Sequence, residues 1–325
     1  MIPEFVRGSI APMFTAFKED LTIDEAGQRR FLDFLIERGG VSAFFLRSGM
    51  GQMYAYSYEE VRQIARLGCA HLRGRAPVLI GCAGIWDRNR DRRPDRGLYT
   101  RQSIELGRYA QDQGADGVVF TIPEGIAPEA GESHAGVILR FFEAVTAALA
   151  PPVLLYQPPG TDPDYCVSPA LMRELAALPG IRGIKLSTTD AEYLCDIGAA
   201  LAGTETAFIC GCETVFYAAL PAGARAVIGQ GATLNPRILN AVQDRFEAGD
   251  WPGAMEAQRA ANRLCRMTKN PVEFMKRYAT DHGHAVPLHA RTLENNPYVK
   301  NAAPLTPEEY AQSKQVFEAE CAHYG

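Results

Sequence analysis

The sequence has 325 residues, of which 47% are hydrophobic and 22% are charged, a composition that excludes a disordered chain. Its 33 Lys and Arg residues against 38 Asp and Glu residues give a net charge of −5, so we expect no nucleic-acid partner. Apolar runs stay below the about 18 residues that a membrane-spanning helix needs. The first residues lack the basic and apolar regions of a signal peptide, so we expect a cytoplasmic protein with no membrane partner.

Eight short apolar runs recur along the chain, with helical segments between them. Strands that are buried on both faces of a parallel sheet have this nearly continuous apolar pattern. The predicted strands, in chain order, are Ile10–Met13, Ala43–Leu46, Val78–Ile80, Val118–Phe120, Val153–Tyr156, Gly183–Leu186, Phe208–Cys210 and Ala226–Ile228.

The segments between the strands carry signals for helix ends. Ser57 and Glu60 have the spacing of a capping box, and Gly39 and Gly114 stand where helices are expected to end. Eight β-α units within residues 1–248 match a (β/α)₈ TIM barrel, for which about 250 residues is typical. A doubly wound open sheet is the alternative, but the glycine-rich fingerprint that normally follows its first strand is missing after Met13.

From residue 249 the alternation of strands and helices stops. Two helices are predicted at Trp251–Met267 and Val272–Asp281, and Thr306 caps a third that runs towards Cys321. Residues His282–Ala303 are interpreted as an irregular connection. The predicted domains are therefore a barrel over residues 1–248 and a C-terminal extension of three helices over residues 249–325.

The eight cysteines do not indicate a metal site. No pair has the Cys-x-x-Cys spacing of zinc or redox sites, and Cys210 and Cys212 form only Cys-x-Cys at a strand end. We interpret all eight as free thiols in a reducing compartment, and we expect no metal.

Lys185 is the most informative residue, because it interrupts an apolar strand. If Ile184 and Leu186 face the helices, Lys185 points into the barrel, where burial lowers the pKa of an amine. A neutral lysine amine can attack a carbonyl carbon and form a Schiff base. The alternative is a lysine that pairs with an acid or reaches solvent. We expect a lowered pKa with burial as its main cause.

Tyr156 ends the preceding strand, which is the neighbour of the Lys185 strand in a barrel. Active sites of barrels form at the carboxyl ends of the strands, and a phenol placed there could relay protons. We expect its hydroxyl to lie within hydrogen-bond reach of the Lys185 amine or of the substituents of the imine carbon. The alternative is an aromatic side chain that only packs.

Two glycine-rich loops follow strands two and eight. Ser48–Gln52 could form a nest of backbone N–H groups for a small carboxylate, although a plain loop fits equally well. The segment Gly229–Thr233 lies where some barrels bind phosphate, which would make the chain a phosphosugar enzyme.

A charged segment, Trp86–Leu98, follows strand three and should lie on the active-site face. It contains five arginines and three aspartates. The arginines could bind an anionic group of a substrate or a partner subunit. The aspartates could instead pair with the arginines in a solvated loop of mixed charge.

Together these residues resemble the dihydrodipicolinate synthase/N-acetylneuraminate lyase family of class I aldolases over nearly the whole chain. Gly8–Phe17 resembles the opening strand of that family, Tyr156-Gln-Pro-Pro159 resembles its Tyr-Asn-x-Pro motif, and Gly183–Asp190 resembles its Gly-Ile-Lys-Asp-Ser-Ser-Gly-Asp motif. The resemblance implies a (β/α)₈ barrel with a three-helix extension, assembled as a homo-oligomer, either a tetramer or a dimer. It also implies that Lys185 forms a Schiff base with pyruvate or another 2-oxo acid and that Tyr156 is the catalytic tyrosine.

The chain departs from the family at three places. Gly49 and Met50 stand where the family has two hydroxyl residues, Glu124 and Gly125 stand where the synthases have a second tyrosine, and Thr161 stands where they have an arginine. A true dihydrodipicolinate synthase is therefore not expected.

The leading hypothesis is a Schiff-base lyase, either an aldolase or a hydro-lyase, that acts on a small 2-oxo acid. Lys185 and Tyr156 would be catalytic, and Ser48, Gly49, Met50, Ile228 and Gly229 would bind the substrate. No metal or organic cofactor is expected, since the imine itself withdraws electrons. The alternative is a barrel that binds a 2-oxo acid for regulation and has lost turnover.

Overall fold

A computed structural model of the chain, which describes residues 1–291 and 303–324, contains a closed barrel of eight parallel strands. Each strand pairs with the next along the chain, and β8 closes the ring against β1. The strands are β1 Gly8–Pro12, β2 Val41–Leu46, β3 Val78–Gly81, β4 Gly117–Thr121, β5 Val153–Gln157, β6 Ile181–Leu186, β7 Ala207–Cys210 and β8 Ala224–Val227. The predicted (β/α)₈ barrel is confirmed, and the predicted strand bounds differ by one or two residues.

Helices connect the strands and surround the barrel. They are α1 Glu25–Arg38, α2 Tyr58–Leu72, α3 Arg96–Gln113, α4 His134–Ala148, α5 Pro169–Ala177, α6 Ala191–Leu201, α7 Phe216–Ala219, α8 Gln230–Leu234, α9 Pro236–Glu247, α10 Trp251–Arg266, α11 Pro271–Asp281 and α12 Pro307–Cys321. The predicted capping box at Ser57 is present, because the Ser57 hydroxyl accepts from the Glu60 amide and the Glu60 carboxylate accepts from the Ser57 amide.

The barrel interior is filled by apolar side chains that alternate with the side chains facing the helices. The inner cluster includes Ile10, Phe45, Leu79, Leu154 and Ile209, all fully buried. Polar side chains replace this packing only towards the carboxyl ends of the strands. That end is therefore the barrel mouth, and it is where the candidate site lies.

The last three helices pack against the barrel rather than apart from it. Leu264, Phe274 and Phe317 belong to the same buried cluster as the helices around the barrel. Within the described part of the predicted connection His282–Ala303, Lys276 donates to the His289 carbonyl (2.8 Å). The C-terminal helices are confirmed, whereas a domain boundary at residue 248 stays a prediction. No described helix is long and apolar enough to cross a bilayer.

Candidate active site at the barrel mouth

Lys185 projects into the barrel from β6. Its neighbours Ile184 and Leu186 belong to the cluster that faces the helices, so the alternation of the strand turns Lys185 inward. The side chain is 5% exposed. Its register partners on the flanking strands are Tyr156 and Ile209. The predicted orientation is therefore the one that the structure has.

The surroundings of Lys185 favour its neutral form. Burial is the main cause that lowers the pKa of Lys185, to about 8, while the nearby Cys212 and Glu213 oppose the decrease. Burial also raises the pKa of the Cys212 thiol, so this thiol is uncharged at neutral pH. Among the described residues, no carboxylate forms a salt bridge with Lys185. The alternative of a lysine paired with an acid is not what the structure contains.

Tyr156 is fully buried beside Lys185. The Lys185 Nζ atom lies 4.0 Å from the centre of the Tyr156 ring. No described group forms a hydrogen bond of normal geometry with the Tyr156 hydroxyl, although the Ser187 hydroxyl lies close enough to oppose the increase in its pKa. The expected hydrogen bond to the amine is therefore absent, because the amine lies over the ring face. Burial raises the pKa of Tyr156 well above its usual value, and the neighbouring Tyr54 raises it further.

The loop after β2 presents two free backbone amides. The Ser48 hydroxyl donates to the Met13 carbonyl (3.1 Å) and accepts from the Gly51 amide (3.1 Å), so it holds the turn. A side chain at Gly51 would clash with the Met13 carbonyl oxygen. Among the described residues, no acceptor is paired with the amides of Gly49 and Met50. This geometry leaves the two amides, rather than the Ser48 hydroxyl, available to an anion.

The loop after β8 is closed by a carboxylate. Gly231 donates to Glu213 Oε1 (3.1 Å), and a side chain at Gly229 would overlap the same carboxylate. A phosphate at this loop would meet a negative group at close range, so the phosphosugar interpretation is wrong. Ile228, which lies one residue beyond β8, is 1% exposed and packs in the inner barrel cluster.

The inserted segment after β3 is only partly a solvated loop, since Arg88 is buried while Asp91 and Arg92 are exposed. Arg88 is 8% exposed, and its guanidinium donates to the Pro159 carbonyl (2.9 Å) and to Glu124 (3.1 Å). Arg90 donates to the second oxygen of Glu124 (3.0 Å) and to the Gly160 carbonyl (3.0 Å). The segment therefore crosses from the end of β3 to the loops after β4 and β5.

Most arginines of the inserted segment form no ion pair with the aspartates of the same segment. Only Arg92 pairs with an aspartate of the segment, Asp87 (3.1 Å). Asp95 instead caps α3 by accepting from the Leu98 amide. Arg96, the first residue of α3, pairs with Glu132 (2.7 Å). The alternative of pairing within the segment therefore holds for Arg92 but not for Arg88, Arg90 or Arg96, because carboxylates on the next loop accept from these three arginines.

Sequence reasoning missed two residues at the mouth, Arg47 and Tyr54. Arg47 follows β2, is 3% exposed and donates to the carbonyls of Met53 (3.3 Å), Gly81 (3.1 Å) and Ala83 (2.6 Å). Its backbone is left-handed (φ 50°), which is uncommon for a non-glycine residue. The sequence contained a signal for Arg47. Ala43 and Phe45 point into the barrel, so the next residue on the same side is Arg47, a charged residue at the end of an apolar strand.

Tyr54 packs against the inner barrel cluster at the mouth. The Arg88 guanidinium lies 5.5 Å from the centre of its ring. Burial raises the pKa of Tyr54, while the charges of Arg88 and Arg47 oppose the increase. Tyr54 thus lies near both guanidinium groups. No sequence motif marked it.

The chain is similar to proteins of known family. A sequence profile of the Dihydrodipicolinate synthetase family matches residues 5–292. YagE of Escherichia coli K12, provisionally named a 2-dehydro-3-deoxy-D-gluconate aldolase, is 30% identical over 247 residues, 75% of this chain and 75% of YagE. The 4-hydroxy-tetrahydrodipicolinate synthase of Acidiphilium cryptum is 29% identical over 253 residues, 78% of this chain and 79% of the synthase.

Solved structures are similar over almost the whole chain. The crystal structure of YagE in complex with pyruvate aligns with a TM-score of 0.76 and 26% identity, covering 97% of this chain and 98% of YagE. N-acetylneuraminate lyase of Mycoplasma synoviae aligns with a TM-score of 0.77 and 18% identity, covering 98% of each chain. At 18% identity, the second similarity concerns the fold alone.

Proposed function

Since the chain belongs to the dihydrodipicolinate synthetase family, we propose that it is a lyase that forms a Schiff base with pyruvate or another 2-oxo acid. The observation that carries the proposal is the buried Lys185 amine, whose pKa is lowered to about 8 and which has no carboxylate partner among the described residues. At pH 7 about one such amine in ten is neutral, against about one in 2,500 for lysine in water. The YagE structure in complex with pyruvate supports the same substrate class.

The reaction begins with attack of the neutral Lys185 nitrogen on the keto carbon of the substrate. The carbonyl oxygen takes up a proton, the carbinolamine loses water, and an iminium ion forms. In an aldol cleavage, the hydroxyl on C4 loses its proton, the C3–C4 bond breaks, the electron pair moves towards the iminium nitrogen to form an enamine, and an aldehyde leaves. In a dehydration, a proton is removed from C3 to form the enamine, whose electrons then expel the protonated C4 hydroxyl as water. Hydrolysis of the resulting enamine or imine returns the free amine.

Tyr156 serves as the proton donor and acceptor of these steps. Its pKa is raised by burial, so it is a neutral phenol at physiological pH and can first donate a proton to the leaving hydroxyl of the carbinolamine. The hydroxyl is available for this, since no described residue forms a hydrogen bond of normal geometry with it and its neighbour Ser187 is another hydroxyl. The amides of Gly49 and Met50 hold the carboxylate of the substrate.

Dihydrodipicolinate synthesis is a poor fit to this mouth. The hydroxyl pair of the family is replaced by Gly49 and Met50, so no threonine can extend a proton relay from Tyr156. Glu124 and Gly125 stand where the synthases have a second tyrosine, and Glu124 is held by Arg88. The proposed reaction is therefore an aldol cleavage or a dehydration of a different 2-oxo acid. A homo-oligomer, tetrameric or dimeric, stays a prediction.

The experiment is borohydride reduction in the presence of pyruvate, followed by peptide mapping. We expect the mass of a reduced pyruvate unit on Lys185. Lys276 is an internal control, since it is also buried and its pKa is lowered to about 7, but it lies on α11 and donates to the His289 carbonyl. No adduct with pyruvate or a panel of 2-oxo acids would contradict the proposal.

The second candidate is a regulatory barrel that binds a 2-oxo acid without turning it over. The loss of both hydroxyl residues at Gly49 and Met50 favours it. It predicts a higher melting temperature with pyruvate and no product from any 2-oxo acid. Release of pyruvate from a 4-hydroxy-2-oxo acid would exclude it.

A further inference from the structure

The inserted segment places positive charge at one side of the barrel mouth. Arg88 and Arg90 both bind the carboxylate of Glu124, which is 2% exposed. Asp162, 3.9 Å from Arg90, is the other acid near them. Glu124 and Asp162 therefore balance the charges of the two guanidinium groups, but the Arg88 Nε atom donates to no described residue.

Arg47 adds a third guanidinium group, and this one has no acidic partner among the described residues. It is bound only to backbone carbonyls, and its Nη2 atom donates to no described residue. The titratable groups that act on it are Cys82, Tyr99, Tyr56 and Tyr54. Burial raises the pKa of each of these four groups, so none carries a negative charge at neutral pH. A buried cation without an anion is costly.

These cations lie close to the candidate catalytic pair. Tyr54 is near both Arg88 and Arg47, and the charge of Arg88 opposes the increase in the pKa of Tyr156. Arg88 is tied to the Pro159 carbonyl, three residues after Tyr156. A substrate that is attached to Lys185 and extends along Tyr54 would therefore bring its distal end to the guanidinium groups.

We propose that Arg88 and Arg47 bind a carboxylate on the distal half of the substrate, which makes that substrate a 2-oxo diacid. The inference rests on the proposed function and specifies its substrate class. A distal carboxylate supplies the anion that Arg47 lacks, and guanidinium groups bind carboxylates through paired, charge-assisted hydrogen bonds. A neutral polyol would leave the charge of Arg47 unbalanced.

The test compares 2-oxoglutarate with 2-oxohexanoate, in which an ethyl group replaces the distal carboxylate. For each acid, the concentration that gives half-maximal borohydride trapping of Lys185 is measured. We expect 2-oxoglutarate to be favoured roughly 10- to 100-fold, as for one or two charge-assisted hydrogen bonds. In Arg88→Met the ratio should fall to about threefold or less. The ratio is taken within each variant, so a general weakening of the site cancels.

Two further variants keep the result interpretable. Arg92→Met is the matched control, because Arg92 lies on the same segment, is largely exposed and pairs only with Asp87; its ratio should equal that of the wild type. Glu124→Gln removes the acid that competes for Arg88 and should raise the ratio. Arg47 is not substituted, because it also donates to three backbone carbonyls and its loss would disturb the loops that it holds.

Two results would overturn the inference. One is equal trapping of the two acids by the wild type, and the other is an unchanged ratio in Arg88→Met. Either could occur while pyruvate still forms its adduct, in which case the proposed function survives. Absence of any adduct with pyruvate would instead overturn the proposed function, and with it this inference.

Discussion

Lys185 and Tyr156 are register partners on neighbouring strands, and the amine of one lies over the ring face of the other, 4.0 Å from its centre. A ring face attracts a cation, while burial disfavours the charged amine. Burial prevails, since the pKa of Lys185 is lowered to about 8. In the proposed mechanism, the same ring face would lie beside the iminium ion and would stabilise its positive charge.

The lowered pKa of Lys185 predicts how imine formation depends on pH. Only the neutral amine attacks, so the initial rate of adduct formation with pyruvate should rise about tenfold per pH unit below the pKa and level off above it. With a pKa of about 8, the inflection should lie near pH 8. Borohydride trapping of samples taken at successive times measures the rate. An inflection near the pKa of free lysine would contradict the assignment of Lys185 as the nucleophile.

Substitutions of Lys185 should separate catalysis from stability. Lys185→Ala and Lys185→Arg should both form no adduct, because alanine lacks the amine and a guanidinium does not become neutral. Lys185→Ala should be at least as stable as the wild type below pH 8, since it removes a buried ammonium. Mass spectrometry and urea unfolding measure the two effects. A strongly destabilised Lys185→Ala variant would indicate a structural lysine instead.

Tyr156→Phe should slow the reaction without weakening the fold. The hydroxyl contributes general acid–base catalysis, so kcat should fall about 10²- to 10⁴-fold. Since that buried hydroxyl has no hydrogen-bond partner among the described residues, its removal should change the free energy of unfolding by no more than about 1 kcal/mol. Tyr165→Phe is the matched control, because the Tyr165 hydroxyl donates to the Ile126 carbonyl; it should lose stability. Unchanged turnover in Tyr156→Phe would exclude a proton relay.

The sequence was sufficient to predict the barrel and the position of Lys185, because both follow from local patterns. Eight apolar runs specify strands buried on both faces, and strand alternation decides which way Lys185 points. The partners of Arg88 could not be predicted in this way. Glu124 and Pro159 are 36 and 71 residues away from it, and a mixed-charge segment gives no information on which distant acid each arginine meets.

The interaction between Tyr156 and Lys185 shows the same limit. Their pairing follows from strand order, but whether the amine meets the hydroxyl or the ring depends on side-chain conformation, which alternation does not determine. The way in which Ser48 holds the loop after β2 could not be predicted from the sequence of the loop either. Its hydroxyl donates to the carbonyl of Met13, which follows β1, and only the folded barrel brings these residues together.

The lowered pKa of the buried Lys276 amine predicts that stability depends on pH, and this effect does not involve Lys185 or Tyr156. Burial lowers its pKa to about 7 from the ordinary 10.5. The unfolded chain therefore binds more protons than the folded chain between about pH 7 and pH 10.5, and the contribution of Lys276 to stability rises with pH across that window. Lys276→Met should be more stable than the wild type at pH 6, and this advantage should shrink towards pH 9.

Urea unfolding at several pH values measures that difference. The substitution also removes the hydrogen bond to the His289 carbonyl, worth about 1 kcal/mol, which lowers the whole curve without changing its slope. Lys314→Met is the control, since the carboxylate of Asp281 raises the pKa of Lys314 and the slope at neutral pH should be unaffected. A difference between Lys276→Met and wild type that does not vary with pH would contradict a neutral buried amine.

Substitution of Gly229 tests whether the Glu213 side chain fills the loop after β8. Its backbone is extended (φ −143°), so alanine suits the backbone, but its side chain would overlap the Glu213 carboxylate. Gly229→Ala must therefore displace Glu213 from the Gly231 amide, at a cost of about 1–3 kcal/mol in the free energy of unfolding. Gly97→Ala, at an exposed position in α3, is the control and should stabilise by about 0.5–1 kcal/mol. The double variant Gly229→Ala/Glu213→Ala should recover part of the loss, because the overlapping carboxylate is gone; if it instead loses the sum of the two single effects, Glu213 does not occupy this loop.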